Sequence, residues 1–344
     1  AIVAPADVLR FFTENINIYA NGHDAIKVTG GWEPGAFDGQ INQGTWRNHG
    51  VPYEISKHIA VVDGETLTIE KGNTFYMEDE VTFWVDGALS AKGTADSTII
   101  FTRMTGSDGH WQHLLFKNDT AMSELEHCHF SHGGFYPETK SDTAAMISLV
   151  QAGAKFQNCT VDSSHSNGIY LNHQASAEFV NSVISNHAAS GMYIVGDGDN
   201  NPAFGNSLAT WNDIYGNGTY NISNINPKNI DAGYIWWGTI EDDEISAGIF
   251  ENSGTVDFTP WTNAGHTQLY PAGPPVQEIS LTAGWNSLSS YITPDNPALE
   301  AVFAPIAGEL IIAQTLNGIY YPGENINTIG TCPQHPAIMI KTSH

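Results

Sequence analysis

Eight histidines fall between His110 and His187, in HWQH (110–113), in HCHFSH (127–132) and singly at His165, His173 and His187. Imidazole nitrogens bind transition metals or serve as general bases near neutral pH. His132, His165 and His187 each follow a short alternating apolar stretch by a few residues, so a fold that stacks those stretches would bring them together. A transition-metal site is one expectation for these three. A ladder of polar turn residues hydrogen-bonded along the stack is the other. A second group lies in GDGDNNP (196–202), where Asp197, Asp199 and Asn200 offer hard oxygen ligands with glycine flexibility, a set suited to Ca2+. The competing reading is an ordinary polar loop. Aromatic residues make the third group. Tyr170 and Tyr193 stand between apolar neighbours in IYL and MYI, and Trp111 and the pair Trp236–Trp237 stand near comparable stretches. Sugar rings pack their C–H faces on such π surfaces, which makes Tyr170, Tyr193, Trp111 and Trp237 candidate ligand-binding residues. Core packing is the alternative for the tryptophans.

A repeat must position these groups. FQNCTVDSSHSNGIYLN (156–172) and FVNSVISNHAASGMYIV (179–195) align with an offset of 23, so that Phe156 meets Phe179, Asn158 meets Asn181 and Ile169 meets Met192. A further copy, LEHCHF (125–130), precedes FQNCTV by 31. A fixed period of this size marks stacked units. Each copy reads as three short strands and three turns, with no helical periodicity. The Asn suits a sharp bend because it tolerates the left-handed backbone region. One such coil buries its apolar side chains only by stacking on its neighbours. Within IYL and MYI the flanking apolar residues then point inward and the tyrosines outward.

Composition narrows the partners. Lys plus Arg is 12 against 37 Asp plus Glu, a formal charge of −25. Nucleic acids and anionic membranes are poor partners on this basis, and no nucleic-acid partner is expected, because phosphate binding needs a basic footprint. Calcium and neutral, hydroxyl-rich ligands fit better, and the acidity also suits a salt-exposed extracellular surface. No run of ~18 apolar residues is present, so no membrane span is expected. The three cysteines imply no disulfide framework; Cys128 and Cys159 share one repeat position and are expected as a buried thiol ladder, a disulfide being the alternative.

Along the chain, residues 1–38 read as a cap on the open end of the stack or as the end of an upstream domain. Residues 39–270 carry the repeats, PAGPPV (271–276) is a linker, and 277–344 is expected to form a small α+β module with a helix in NPALEAVFAPIA. The run TW…VPYEIS with GETLTIEKG, then DGALSAKGTADSTIIFT, and the closing YIWWGT and VDFTPW resemble right-handed parallel β-helix proteins of the pectate-lyase-like superfamily. The tail GWNSLSSYI…NGIYYPGENINTIG is similar to a small module near the C-terminus of multi-domain bacterial surface proteins. The resemblance implies an all-β solenoid in a secreted or cell-surface bacterial protein, a monomer or part of a larger multi-domain chain. The fold hosts lyases, hydrolases, epimerases, adhesins and non-catalytic modules. Of these chemistries, the lyase type needs Arg or Lys as base, and this chain has three arginines, none within 111–240. The hydrolase type needs two facing carboxylates; the adjacent Asp242, Asp243 and Glu244 read as a solvated late turn. The expected function is polysaccharide binding at an outward tyrosine ladder, with a lyase or hydrolase and a structural rod as the alternatives.

Overall fold

Short strands that alternate apolar and polar residues have one face that must be covered, and a single coil of this length has nothing to cover it with. The computed structural model, which describes residues 1–31, 39–117, 122–135, 145–196, 201–271, 279–289, 294, 296–332 and 338–343, shows the solution. Ala145–Val150, Gly153–Gln157 and Thr160–Asp162 make one coil; Asn167–Asn172, Ser176–Val180 and Ser182–Ser185 make the next. Corresponding strands pair in parallel from coil to coil. Among the described residues this builds three long sheets, here sheet I (first strand of each coil, nine strands), sheet II (second, seven strands) and sheet III (third, ten strands).

The repeat alignment reappears as hydrogen-bonded register. Phe156 pairs with Phe179, Val161 with Ile184, and Ile169 with Met192. Inside the coil like residues stack on like. Phe75, Phe101 and Phe130 lie 4.7 and 5.0 Å apart ring to ring, and Phe156, Phe179 and Phe204 lie 5.1 and 5.7 Å apart, all nearly parallel. These spacings follow the ~4.8 Å between neighbouring strands. Each fully buried phenyl contributes about 1.5–3 kcal/mol. The bend between sheets II and III is made by His127, Asn158 and Asn181 at φ of 47, 53 and 52°. Their amides donate to the next coil, at Gln157, Val180 and Trp211 carbonyls respectively. Cys128 and Cys159 are buried free thiols that donate to the Ala91 and Leu125 carbonyls, and Ser182 continues the same ladder.

The first 31 residues are joined to this stack. Ile2–Pro5 and Ile26–Thr29 are the first two strands of sheet III, and the 3-10 turn Ala6–Phe11 buries Ala6 and Leu9 in the common core. The compact unit so formed runs from Ala1 to Pro271. The carboxylates of Asp242, Asp243 and Glu244, read from sequence as a turn, begin a short α-helix, Asp242–Ala247. Negative charge in a first helical turn is favourable.

The second unit, Ala272–His344, has its own core of Leu299, Phe303, Leu310, Ala313, Ile338 and Ile340. Its antiparallel sheet places Ile338–Thr342 between Gly284–Leu288 and Leu310–Gln314. The expected helix in NPALEAVFAPIA is only one turn, Leu299–Val302, followed by a 3-10 turn at Ala304–Ile306. Pro305 lacks the amide that an α-helix would need there.

Candidate functional site

The outer side of sheet I follows from its inner side. Ile169 and Leu171, like Met192 and Ile194, are fully buried in the core, so the residue between them must point away from it. Register then aligns one outer column: Trp84, Leu115, Ser148, Tyr170, Tyr193, Ser223 and Phe250. Tyr170 and Tyr193 stack at 6.2 Å with their rings 13° apart. The two are not equally open. Tyr170 is only 7% exposed, and its Oη accepts a 2.9 Å hydrogen bond from Asn172 Nδ2. Burial, with Tyr193 adding to it, holds the Tyr170 phenol above its ordinary pKa. Tyr193 is half-buried and Phe250 is exposed, so the accessible part of the column runs from Tyr193 onward.

There the surface sinks into a groove of about 460 Å³ lined by Asn167, Ser190, Tyr193, Tyr220, Ser223 and Phe250, with Ser166 and Thr219 at its side. Tyr220 leans on Phe250 at 5.4 Å, and the two rings also bound a neighbouring hollow of about 380 Å³. The floor is already organised. Asn167 Oδ1 accepts from the Ser190 amide at 3.0 Å, and the Ser190 and Ser223 hydroxyls lie 3.1 Å apart. Among the described residues, no Asp, Glu, Lys, Arg or His lines the groove. Glu251, in the neighbouring hollow, has Oε1 engaged by the Val256 amide at 2.5 Å. Such a lining offers π faces, hydroxyls and amides, and no acid–base pair.

Two of the aromatic candidates are corrected. Trp111 is fully buried: its ring sits beneath Gly133 and its Nε1 donates to the Ser131 carbonyl at 2.8 Å. Trp237 is 3% exposed and belongs to the core. Both are filling a corner of the coil, where a large ring closes space that the short strands leave. Tyr220 and Phe250 take their place at the surface. Phe250 was legible only through register, because the coils that carry Tyr193, Ser223 and Phe250 are unequal in length.

The histidines separate by environment. His187 is 2% exposed; its Nδ1 accepts from the Ser164 amide at 3.1 Å, and burial pushes its pKa down to about 4. It is a neutral structural imidazole. His113 is likewise pushed to about 4 by burial. His132 is half-buried with Nδ1 3.3 Å from Thr102 Oγ1, and His165 is exposed at the next turn. His132, His165 and His187 therefore do not converge, and among the described residues no three His, Cys, Asp or Glu side chains come close enough to hold a metal ion. His129, not singled out from sequence, lies 2.7 Å from Asp162 Oδ2; despite the burial of Asp162, this hydrogen bond and one from Ser163 hold the carboxyl below its usual range. Asp197, Asp199 and Asn200 lie outside the described residues.

A family model described as "Right handed beta helix region" matches residues 145–236, the coils that carry Tyr170, Tyr193 and Ser223. No curated protein and no solved structure gives a significant match. Among the described residues no helix is long and apolar enough to cross a membrane. The parallel register and the matched region together make the first unit a right-handed parallel β-helix.

Proposed function

We propose that this chain is a glycan-binding β-helix module, displayed outside a bacterial cell, that takes a neutral polysaccharide along the outer face of sheet I. The carrying observation is the groove of Tyr193, Tyr220 and Phe250 around Ser190, Ser223 and Asn167, with no ionisable acid or base in its lining apart from the tyrosines. Aromatic faces match the C–H faces of pyranose rings, and hydroxyl and amide groups match their hydroxyls. A neutral lining also suits the protein's charge: with −25 overall, an anionic polymer would be repelled at long range and find no counter-charge in the groove. The rungs repeat every ~4.8 Å, so an extended chain laid along the axis meets equivalent positions in succession.

The test is a panel of neutral and uronate-bearing oligosaccharides titrated while tyrosine and tryptophan fluorescence is followed. Neutral glycans are expected to shift the emission saturably and Tyr193→Ala to abolish the shift. A wild type that answers only to uronates, or a Tyr193→Ala variant that binds as wild type does, would overturn the proposal.

A further inference from the structure

The turns that carry the chain from sheet III back to sheet I also stack, and they do something the glycan groove does not use. The turn at His110–His113, the turn at His132–Phe135 and the turn at Ser164–Ser166 lie one above the next. Gly134 donates to the Gln112 carbonyl at 2.7 Å, Phe135 to that of Trp111 at 3.2 Å, and His165 to that of Gly133 at 2.8 Å. The middle turn contributes glycine where its neighbours carry side chains. A Cβ at Gly133 would lie 2.7 Å from the Trp111 ring, and one at Gly134, whose φ is +83°, would lie 2.0 Å from Ser164 Oγ. No side chain fits there, so two imidazoles meet across the intervening coil. The rings of His110 and His165 are 4.6 Å apart, centre to centre, and tilted by 48°. Phe135 backs the pair, 5.6 Å from the His165 ring.

We propose that His110 and His165 form a two-imidazole chelate for a divalent transition ion of the Zn2+/Cu2+ class, with its remaining coordination positions open to water or an external ligand. Neither ring has a hydrogen-bond partner among the described residues, in contrast to His129 Nε2 and His187 Nδ1, which are engaged. Both sit at the surface, His110 half-buried and His165 exposed, which gives an ion access. With their centres 4.6 Å apart, the two rings are close enough for one nitrogen of each to reach a common ion at the roughly 2.0–2.1 Å that such ions take. The site also differs from the set expected in sequence: His187 is enclosed and His110, two coils from His165, takes its part.

Arg103 supplies a discriminating feature. Its positive charge acts on both His110 and His132 and would oppose a bound cation, while the Asp79 carboxylate acts on His110 in the other direction. Titration of the whole chain with Cu2+ at neutral pH is expected to show one saturable site with nitrogen hyperfine structure from two imidazoles in its electron paramagnetic resonance spectrum, displaceable by Zn2+. His110→Gln and His165→Gln should each weaken it roughly tenfold or more, and Arg103→Gln should tighten it. Circular dichroism of each variant is the check that it remains folded; both histidines lie in surface turns. A wild type without a saturable site, or variants at 110 and 165 that bind Cu2+ as wild type does, or weaker binding by Arg103→Gln, would overturn the assignment.

Discussion

Phe156 and Phe179 stack inside the coil and Tyr170 and Tyr193 stack outside it. Both pairs are joined by the same one-coil step and both are nearly parallel, at 5.1 and 6.2 Å. The inner pair is closed to solvent on every side, 0 and 1% exposed. The outer pair is covered at Tyr170 and opens at Tyr193, where the groove begins. Parallel pairing thus makes ladders on both sides of a strand without regard to use. Whether a ladder stabilises the molecule or is available to a ligand depends on which side of the strand it occupies and on what lies over it.

Substitutions along the two ladders should separate these roles. Phe156→Ala, which empties a closed column, is expected to cost about 3–5 kcal/mol, read from the urea midpoint. A cost below that of Tyr193→Ala would end the distinction. Gly168 joins the ladders, since it precedes both Ile169, which points in, and Tyr170, which points out. A Cβ there would lie 2.3 Å from His187 Nε2 and 2.7 Å from the Gly191 carbonyl oxygen. Gly168→Ala should therefore cost about 1–3 kcal/mol by overpacking and also weaken glycan binding, measured by denaturation and by fluorescence titration.

The third test asks whether an outer face can carry a stability term of its own. Asp213, on the outer side of sheet III, is pushed up to about 7 by burial. His266 Nε2 is 3.2 Å from Oδ1 but off the line of a hydrogen bond, and that oxygen has no partner among the described residues. Burial also lowers the pKa of His266, whose ring stacks on Trp211 at 3.9 Å, which disfavours the charged imidazole that would compensate Asp213. A carboxyl raised from 3.8 to about 7 binds more protons folded than unfolded. Its effect is accordingly to lower stability as pH rises through that window. Asp213→Asn should raise the urea midpoint more at pH 8 than at pH 5, by roughly 1–3 kcal/mol at the higher pH; equal gains at both would refute the assignment. Tyr193→Ala should cost under about 1 kcal/mol of stability while abolishing glycan binding, since its ring is already partly in water. Lys155→Ala, which removes a 3.6 Å surface pair with Glu178, should change the midpoint by about 0.2–1 kcal/mol and leave binding intact.

Much of the fold could be read from Phe156, Asn158, Val161 and Ile169, because each recurs at the next coil and the recurrence is itself the contact. The left-handed turn at Asn158 and Asn181 was legible for the same reason; His127, which holds the same position in LEHCHF, makes the same turn, because His, like Asn, is among the residues that enter this backbone region. Of the candidate site, the tyrosine column was legible from alternation. Trp111 and Trp237 misled because a tryptophan near a strand end serves a corner of the core as readily as a surface. Tyr220 and Phe250 were hidden by the unequal lengths of the coils that bring them beside Tyr193.

The amino-acid sequence alone determined that apolar residues recur with a coil's period, that they must be covered by stacking, and that tyrosines alternate with them. Those features are local or strictly periodic, and geometry translates them directly. Only the tertiary structure decided that Tyr170 is covered while Tyr193 is open, that His187 is enclosed, and that His110 reaches His165 over Gly133 and Gly134. Each of these depends on the space left between coils, which is set by several turns of different length at once and written in no single one of them.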